Sequence, residues 1–234
     1  MRRDITFPYR MHVHVHVISP DGEYKGVSNR VIRNQLSIIS KDYSGVFRFR
    51  LSSINRVRNS SWVPLEKDSV YEYEMKKTLR KGGKSTLNVY IANLEAPKLG
   101  WSTFPQDMER PDGLSLDGVV IHTDTLPQYS KKKPGYAEGR TLTHELYPND
   151  LVTDTRPQKR STMNSYGCPS AFKSCQAESF QNTSDRAYFE RHEDHASLDL
   201  SANFMDWVKD RCMESFTRGQ IERIKTNWVY RLLV

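Results

Sequence analysis

The chain has three cysteines in 234 residues, no long apolar run, and no complete copy of the commonest phosphate-binding or serine-nucleophile motifs. No segment approaches the roughly eighteen apolar residues that a membrane-spanning helix needs. Met1 to Pro8 lack the apolar core of a signal peptide, so the chain as written is expected to be soluble and to carry no export signal. Gly83-Lys84-Ser85 ends like a phosphate-binding loop, but the required earlier glycine is replaced by Thr78, which excludes a nucleotide hydrolase of that type. Without a Gly-x-Ser-x-Gly elbow a serine hydrolase is unsupported. Cys168, Cys175 and Cys212 all lie in the last third; they permit one disulfide with a thiol left over, or three reduced thiols in an intracellular chain.

What is present suits one folded domain, expected to span 1–234 with a cleft between an N-terminal part (1–147) and a C-terminal part (148–234). Hydrophobic residues make up 37% and aromatics 11%, too much apolar content for disorder. The formal charge of +7 is scattered, with local concentrations only at Lys76 to Lys84 and Lys131 to Lys133, so solvated faces are expected rather than a nucleic-acid site. Asn59-Ser60-Ser61 and Asn182-Thr183-Ser184 are glycosylation sequons, relevant only if the chain is exported.

Periodicity sets the elements. His12-Val13-His14-Val15-His16-Val17-Ile18 alternates and stops at Ser19-Pro20-Asp21-Gly22, the pattern of a half-buried strand whose three histidines share a solvent or cleft face. Ser28 is a good N-cap for a helix reaching Lys41. Val46 to Leu51, Leu87 to Ile91 and Leu116 to Ile121 read as strands, Tyr71 to Leu79 as a helix, and Glu138 to Glu145 as a helix stopped by Pro148. Asn149 to Ser201 is polar, without a sustained period, and reads as loops. Ile221, Ile224, Trp228, Val229 and Leu232 mark a C-terminal amphipathic helix. Strands first and helices and loops after give an α+β class, and no internal repeat interrupts it.

Chemistry concentrates in Gly139-Arg140-Thr141-Leu142-Thr143-His144-Glu145, because a His-Glu pair late in a helix is how a zinc protease sets its first ligand beside its general base. The second ligand belongs one helical turn on, so that both imidazoles face one ion, and Pro148 stands there.

Further blocks accompany this helix in order. Leu79-Arg80-Lys81-Gly82-Gly83-Lys84-Ser85-Thr86-Leu87-Asn88-Val89-Tyr90, Leu99-Gly100-Trp101-Ser102-Thr103-Phe104-Pro105 and Leu116-Asp117-Gly118-Val119-Val120 precede it. Tyr166-Gly167-Cys168-Pro169, Asn203-Phe204-Met205-Asp206 and Cys212-Met213-Glu214-Ser215-Phe216-Thr217-Arg218-Gly219-Gln220 follow it. Together they resemble the pappalysin (cytophagalysin) family of secreted zinc metalloproteases over nearly the whole chain.

The resemblance implies a metzincin-like fold: a twisted mixed sheet with helices, then a loop-rich part with a methionine turn and a C-terminal helix. It implies zinc as cofactor, protein or peptide substrates, secretion, and neither nucleic-acid nor membrane partners. His144 matches the first zinc ligand, Glu145 the general base and Met205 the methionine beneath the metal. The family motif is His-Glu-x-x-His-x-x-Gly-x-x-His; here Leu146-Tyr147 resembles the residues before the third histidine, and Asp150-Leu151-Val152-Thr153-Asp154-Thr155 a loop well beyond it. A deletion that removed two ligands follows, and losing about two helical turns should cost several kcal/mol, comparable with a domain's whole stability. Asp154, His192 and His195 are weak substitutes, and Trp207 replaces a tyrosine that could assist the oxyanion. The resemblance pairs Cys168 with Cys212 and leaves Cys175 without its partner. Two readings stand: a zinc endopeptidase whose written sequence is incomplete, or an inactive relative retained as a protein-binding module.

Overall fold

The computed structural model describes residues 5–22, 26–129, 132, 135–147, 202–206 and 208–234. The chain forms two compact units, one of residues 1–149 with 224–234 and one of residues 150–223.

The first unit is built on a five-stranded sheet. Its strands are β1 (Tyr9–Ser19), β2 (Phe47–Arg58), β3 (Thr86–Ala92), β4 (Gly100–Ser102) and β5 (Val119–His122), in the order β2-β1-β3-β5-β4. All neighbours run parallel except β4, which pairs antiparallel with β5 at the edge. The mixed, α+β architecture expected from the sequence is therefore what forms. The helices are α1 (Asn29–Asp42), α2 (Val70–Leu79), the short α3 (Gly113–Leu116), α4 (Arg140–Leu146) and α5 (Arg218–Leu233).

Local chemistry explains the helix starts. Ser28 Oγ accepts the Val31 N–H at 3.3 Å, and Ser69 Oγ accepts that of Glu72 at 3.1 Å. Along α1, Ile32, Gln35, Leu36 and Ile39 are buried, one stripe at helical spacing. Its C-cap Tyr43 packs on Phe47 and Phe49 of β2, while Trp228 of α5 meets Phe47 edge-on at 5.3 Å. These contacts place α1 and α5 on the face of β1 that carries Met11, since Met11 is in register with Phe49. The opposite face receives α2, whose Met75 and Leu79 share a core with Ile18, Tyr90, Trp101 and Val120.

Three features depart from the sequence reading. β1 is an interior strand, so its histidines grade from exposed His12 through half-buried His14 to fully buried His16 rather than sharing an open face. Leu116 ends α3 instead of opening a strand, because Gly118 adopts φ +140 where Asn88 O and the Tyr90 ring leave no room for a Cβ. β4 is too short to betray itself by alternation, and β2 runs on to Arg58. The stretch 149–201, read as loops, lies outside the described residues.

A buried carboxylate ties the first unit together. Asp117 accepts Arg231 Nη1 and Nη2, both at 2.5 Å, Arg80 Nη2 at 3.2 Å and Thr103 Oγ1 at 3.1 Å. Burial raises its pKa, but the hydrogen bonds and charges of Arg231 and Arg80 outweigh that and hold the carboxyl below its usual range. Both arginines also donate to carbonyls of the turn before β3: Arg80 to Gly82 and Gly83, Arg231 to Lys84.

Candidate active site

Helix α4 is held from its N-terminus. Gly139 caps it at φ +89, and a Cβ there would lie 2.9 Å from Ile38 Cδ1 and 3.0 Å from Gln35 Oε1, so glycine is required by conformation and by space. Gln35 Nε2 donates to Gly139 O at 2.7 Å, Tyr43 OH to Thr143 O at 2.8 Å, and Thr143 Oγ1 to Asp42 Oδ2 at 2.5 Å; Arg140 forms an ion pair with Asp42. The C-terminal end of α1 thus clamps one side of α4, burying Thr141, Leu142 and Thr143.

The other side carries His144 and Glu145 as successive, partly exposed residues. The helix ends one residue after Glu145, with the Tyr147 N–H donating to His144 O at 3.3 Å. Glu145 leans on β4: a Cβ at Gly100 would lie 2.9 Å from its Cγ and 3.2 Å from its Oε1, and its carbonyl accepts Ser102 Oγ at 2.5 Å. Gly100 is what lets the carboxyl approach the edge strand. Burial pushes the Glu145 carboxyl up to about 7, against a lowering by the charge of Lys67. An acid in that range can take and return a proton near neutrality.

Past the end of α4 lies a cavity of about 80 Å³, lined among others by Ser102, Thr103, Leu146, Tyr147, Met11 and Trp228. The indole N–H of Trp228 is buried without a hydrogen-bond partner among the described residues.

Met205 sits in a tight turn of the second unit. Asn203 O accepts the Asp206 N–H at 3.1 Å and Asn203 Oδ1 the Met205 N–H at 2.9 Å. Gln220 exchanges two hydrogen bonds with Asn203, at 2.8 and 3.0 Å, and forms a capping box with Thr217. Phe204, Val208, Cys212 and Met213 form a small core beside Phe216. Cys212 is disulfide-bonded. Cys168, Cys175, Asp154, His192, His195 and Trp207 lie outside the described residues.

The structure brings His144 and Glu145 together on α4. The Asp117 cluster and the Asn203–Gln220 pair escaped sequence reasoning, since each joins residues distant in the chain; their only signal was that Arg80, Thr103, Asp117, Asn203 and Gln220 fall within the family-like blocks, while Arg231 lies beyond them.

The five-stranded mixed sheet, with α1 and α4 on one face and a His-Glu pair in the last turn of α4 beside an antiparallel edge strand, is a metzincin-like fold. The fold matches that of mature mirolysin of Tannerella forsythia in complex with a cleaved peptide, with a TM-score of 0.68 at 21% identity, over 97% of this chain and 96% of that one. No family model matches the chain. It is 32% identical to an extracellular metalloprotease of Arthroderma benhamiae over 93% of its own length and 71% of the relative's. Identity is 29% to the extracellular metalloproteases of Arthroderma gypseum (97% and 75% covered) and Arthroderma otae (96% and 80%). The chain belongs to this extracellular metalloprotease family.

Membership implies a metal, typically zinc. Among the described residues no three His, Cys, Asp or Glu side chains group closely enough to hold an ion. His144 offers one imidazole, and one turn on Pro148 offers no donor. A catalytic zinc takes three protein ligands, so the described residues do not fit one.

Proposed function

We propose that the chain is a pappalysin-type metalloprotease domain directed at protein or peptide substrates, with its lineage's chemistry centred on α4. In this reading one domain spans 1–234, its parts meeting near residue 147; His144 is the zinc ligand left on the helix, Glu145 the general base and Met205 the methionine of the turn. Glu145 carries the proposal: its carboxyl, raised to about 7, rests against Gly100 on the edge strand. A base that titrates near neutrality is suited to abstracting a proton from an attacking water. Secretion follows from the relatives' names and is part of the same proposal.

A specific observation favours a second reading, an inactive relative that keeps a protein-binding surface. Pro148 stands where the second imidazole should be, and the described residues complete no metal site. One experiment separates the two. Purified protein is dialysed against zinc, its metal content measured, and casein cleavage followed for the parent, His144→Ala and Glu145→Gln. Hydrolysis proceeds if the parent holds about one zinc, His144→Ala loses it, and Glu145→Gln keeps it while activity falls by at least about a hundredfold. No bound zinc and no cleavage establish the inactive relative.

A further inference from the structure

The sheet face opposite α1 carries a cationic surface at the start of β1 and β2 that no described residue neutralises. Arg10 is in register with Arg48 and His12 with Arg50, and neighbours in register project to the same side. All four are exposed. None of the three arginine side chains forms a hydrogen bond or ion pair to a described residue, whereas His12 Nδ1 is tied to Ser52 Oγ at 2.9 Å. Lys81 adds its charge from the turn before β3, where it and Arg80 depress the pKa of His14, an effect second to that of burial. Arg80 itself is spent on Asp117. No Asp or Glu occurs in β1, β2 or β3.

Among the described residues, the strand that carries these charges is also unpaired on one side. β2 is the edge of the described sheet, and among the described residues the backbone of 48–57 makes no hydrogen bond except to β1. A strand edge offers a row of free N–H and C=O groups to an extended partner. Arginine at alternate positions of that edge repels a second copy of the same strand, and it leaves an acidic strand as the complementary partner.

We propose that the outer edge of β2 is a docking site for an extended acidic polypeptide, which adds as a sixth strand and sets carboxylates at alternate positions against Arg48 and Arg50. The match is one of spacing. Alternate side chains of an added strand recur about every 6.6 Å, the same interval that separates Arg48 from Arg50. Main-chain hydrogen bonds supply affinity and the alternating charges supply selectivity, the division of labour general to strand addition. The site is independent of whether α4 completes a metal centre, and it is read by binding alone.

The test uses the full chain and fluorescein-labelled peptides followed by anisotropy. One peptide alternates Glu with Thr; a second, of the same length and net charge, groups its glutamates in one block and carries prolines among its remaining residues in place of threonine; a third replaces Glu by Gln. The alternating peptide should bind at low salt and weaken steeply as salt rises. Arg48→Gln with Arg50→Gln should weaken it about tenfold, while Arg30→Gln with Arg33→Gln, on α1, leaves it unchanged. Both pairs are exposed, so circular dichroism should show parent-like folding in each variant. Equal binding of the proline-containing peptide would overturn strand addition. Binding of heparin or single-stranded DNA without any of the acidic peptide, or binding insensitive to the Arg48/Arg50 pair, would overturn the proposal outright.

Discussion

His16 shows what one interior position costs. Its Nε2 donates to Asn88 Oδ1 at 3.0 Å, its ring stacks on Tyr90, and Nδ1 is buried without a partner among the described residues. Burial is the largest cause that drives its pKa from 6.5 to about 4, with Lys81 and His14 adding to it against the opposing hydrogen bond to Asn88. Above pH 6.5 the ring is neutral folded or unfolded, and stability is complete. As pH falls from 6.5 towards 4 only the unfolded chain takes up the proton, so about 3 kcal/mol of stability should be lost across that window. Urea unfolding at a series of pH values should show that slope in the parent and a shallower one in His16→Gln. Asp117 works in the same sense, also from a lowered pKa: its contribution is complete above the unfolded carboxyl's titration and is lost as pH falls below it, in stronger acid than the His16 window. Arg231→Ala strips two of its hydrogen bonds and should cost about 3 kcal/mol at neutral pH, measured by the same unfolding curves.

Elements are positioned by the few residues at their ends. α4 has seven residues, too short to be stable alone, and owes its place to Gly139, Gln35, Asp42 and Tyr43. Gly139→Ala forces a side chain into a left-handed conformation and against Ile38, and should destabilise by about 1–2 kcal/mol in thermal unfolding. Gly100→Ala acts elsewhere: its Cβ would lie 2.7 Å from Val120 O and 2.9 Å from Glu145 Cγ, so β4 and the carboxyl must separate. If the parent cleaves casein, that variant should lose activity while keeping parent-like circular dichroism. In the second unit, Gln220 serves the α5 cap and the Met205 turn together. Gln220→Ala should cost about 1–2 kcal/mol, read by hydrogen exchange at 203–206 and in the first turn of α5.

At the scale of the whole molecule the two units differ in how they are held. The first has a sheet, a continuous core beneath α2 and the buried Asp117 cluster. The second, among its described residues, has the small core around Phe204 and a disulfide at Cys212. Family pairing predicts Cys168 as the partner, with Cys175 left as a thiol; peptide mapping without reductant should recover Cys168 joined to Cys212 and Cys175 alkylated. Reduction should destabilise the second unit by about 2–5 kcal/mol and leave the β1–β3–β5 amides protected from exchange.

The sequence alone determined the class. Alternation in β1 to β3, the Ser28 cap, the helical stripe of α1 and the His144-Glu145 pair are local signals, decided by residues within a few positions of one another. Family-like blocks in a fixed order extended that to the metzincin-like fold. Tertiary structure decided which strand is interior, and so that His16 is buried and uncharged, because strand order depends on pairings between residues dozens of positions apart. It also decided that Asp117 is shared by Arg80 and Arg231, and that the Glu145 carboxyl rests on Gly100 and titrates near 7. A pKa belongs to an environment assembled from several elements, and no single stretch of sequence carries that information.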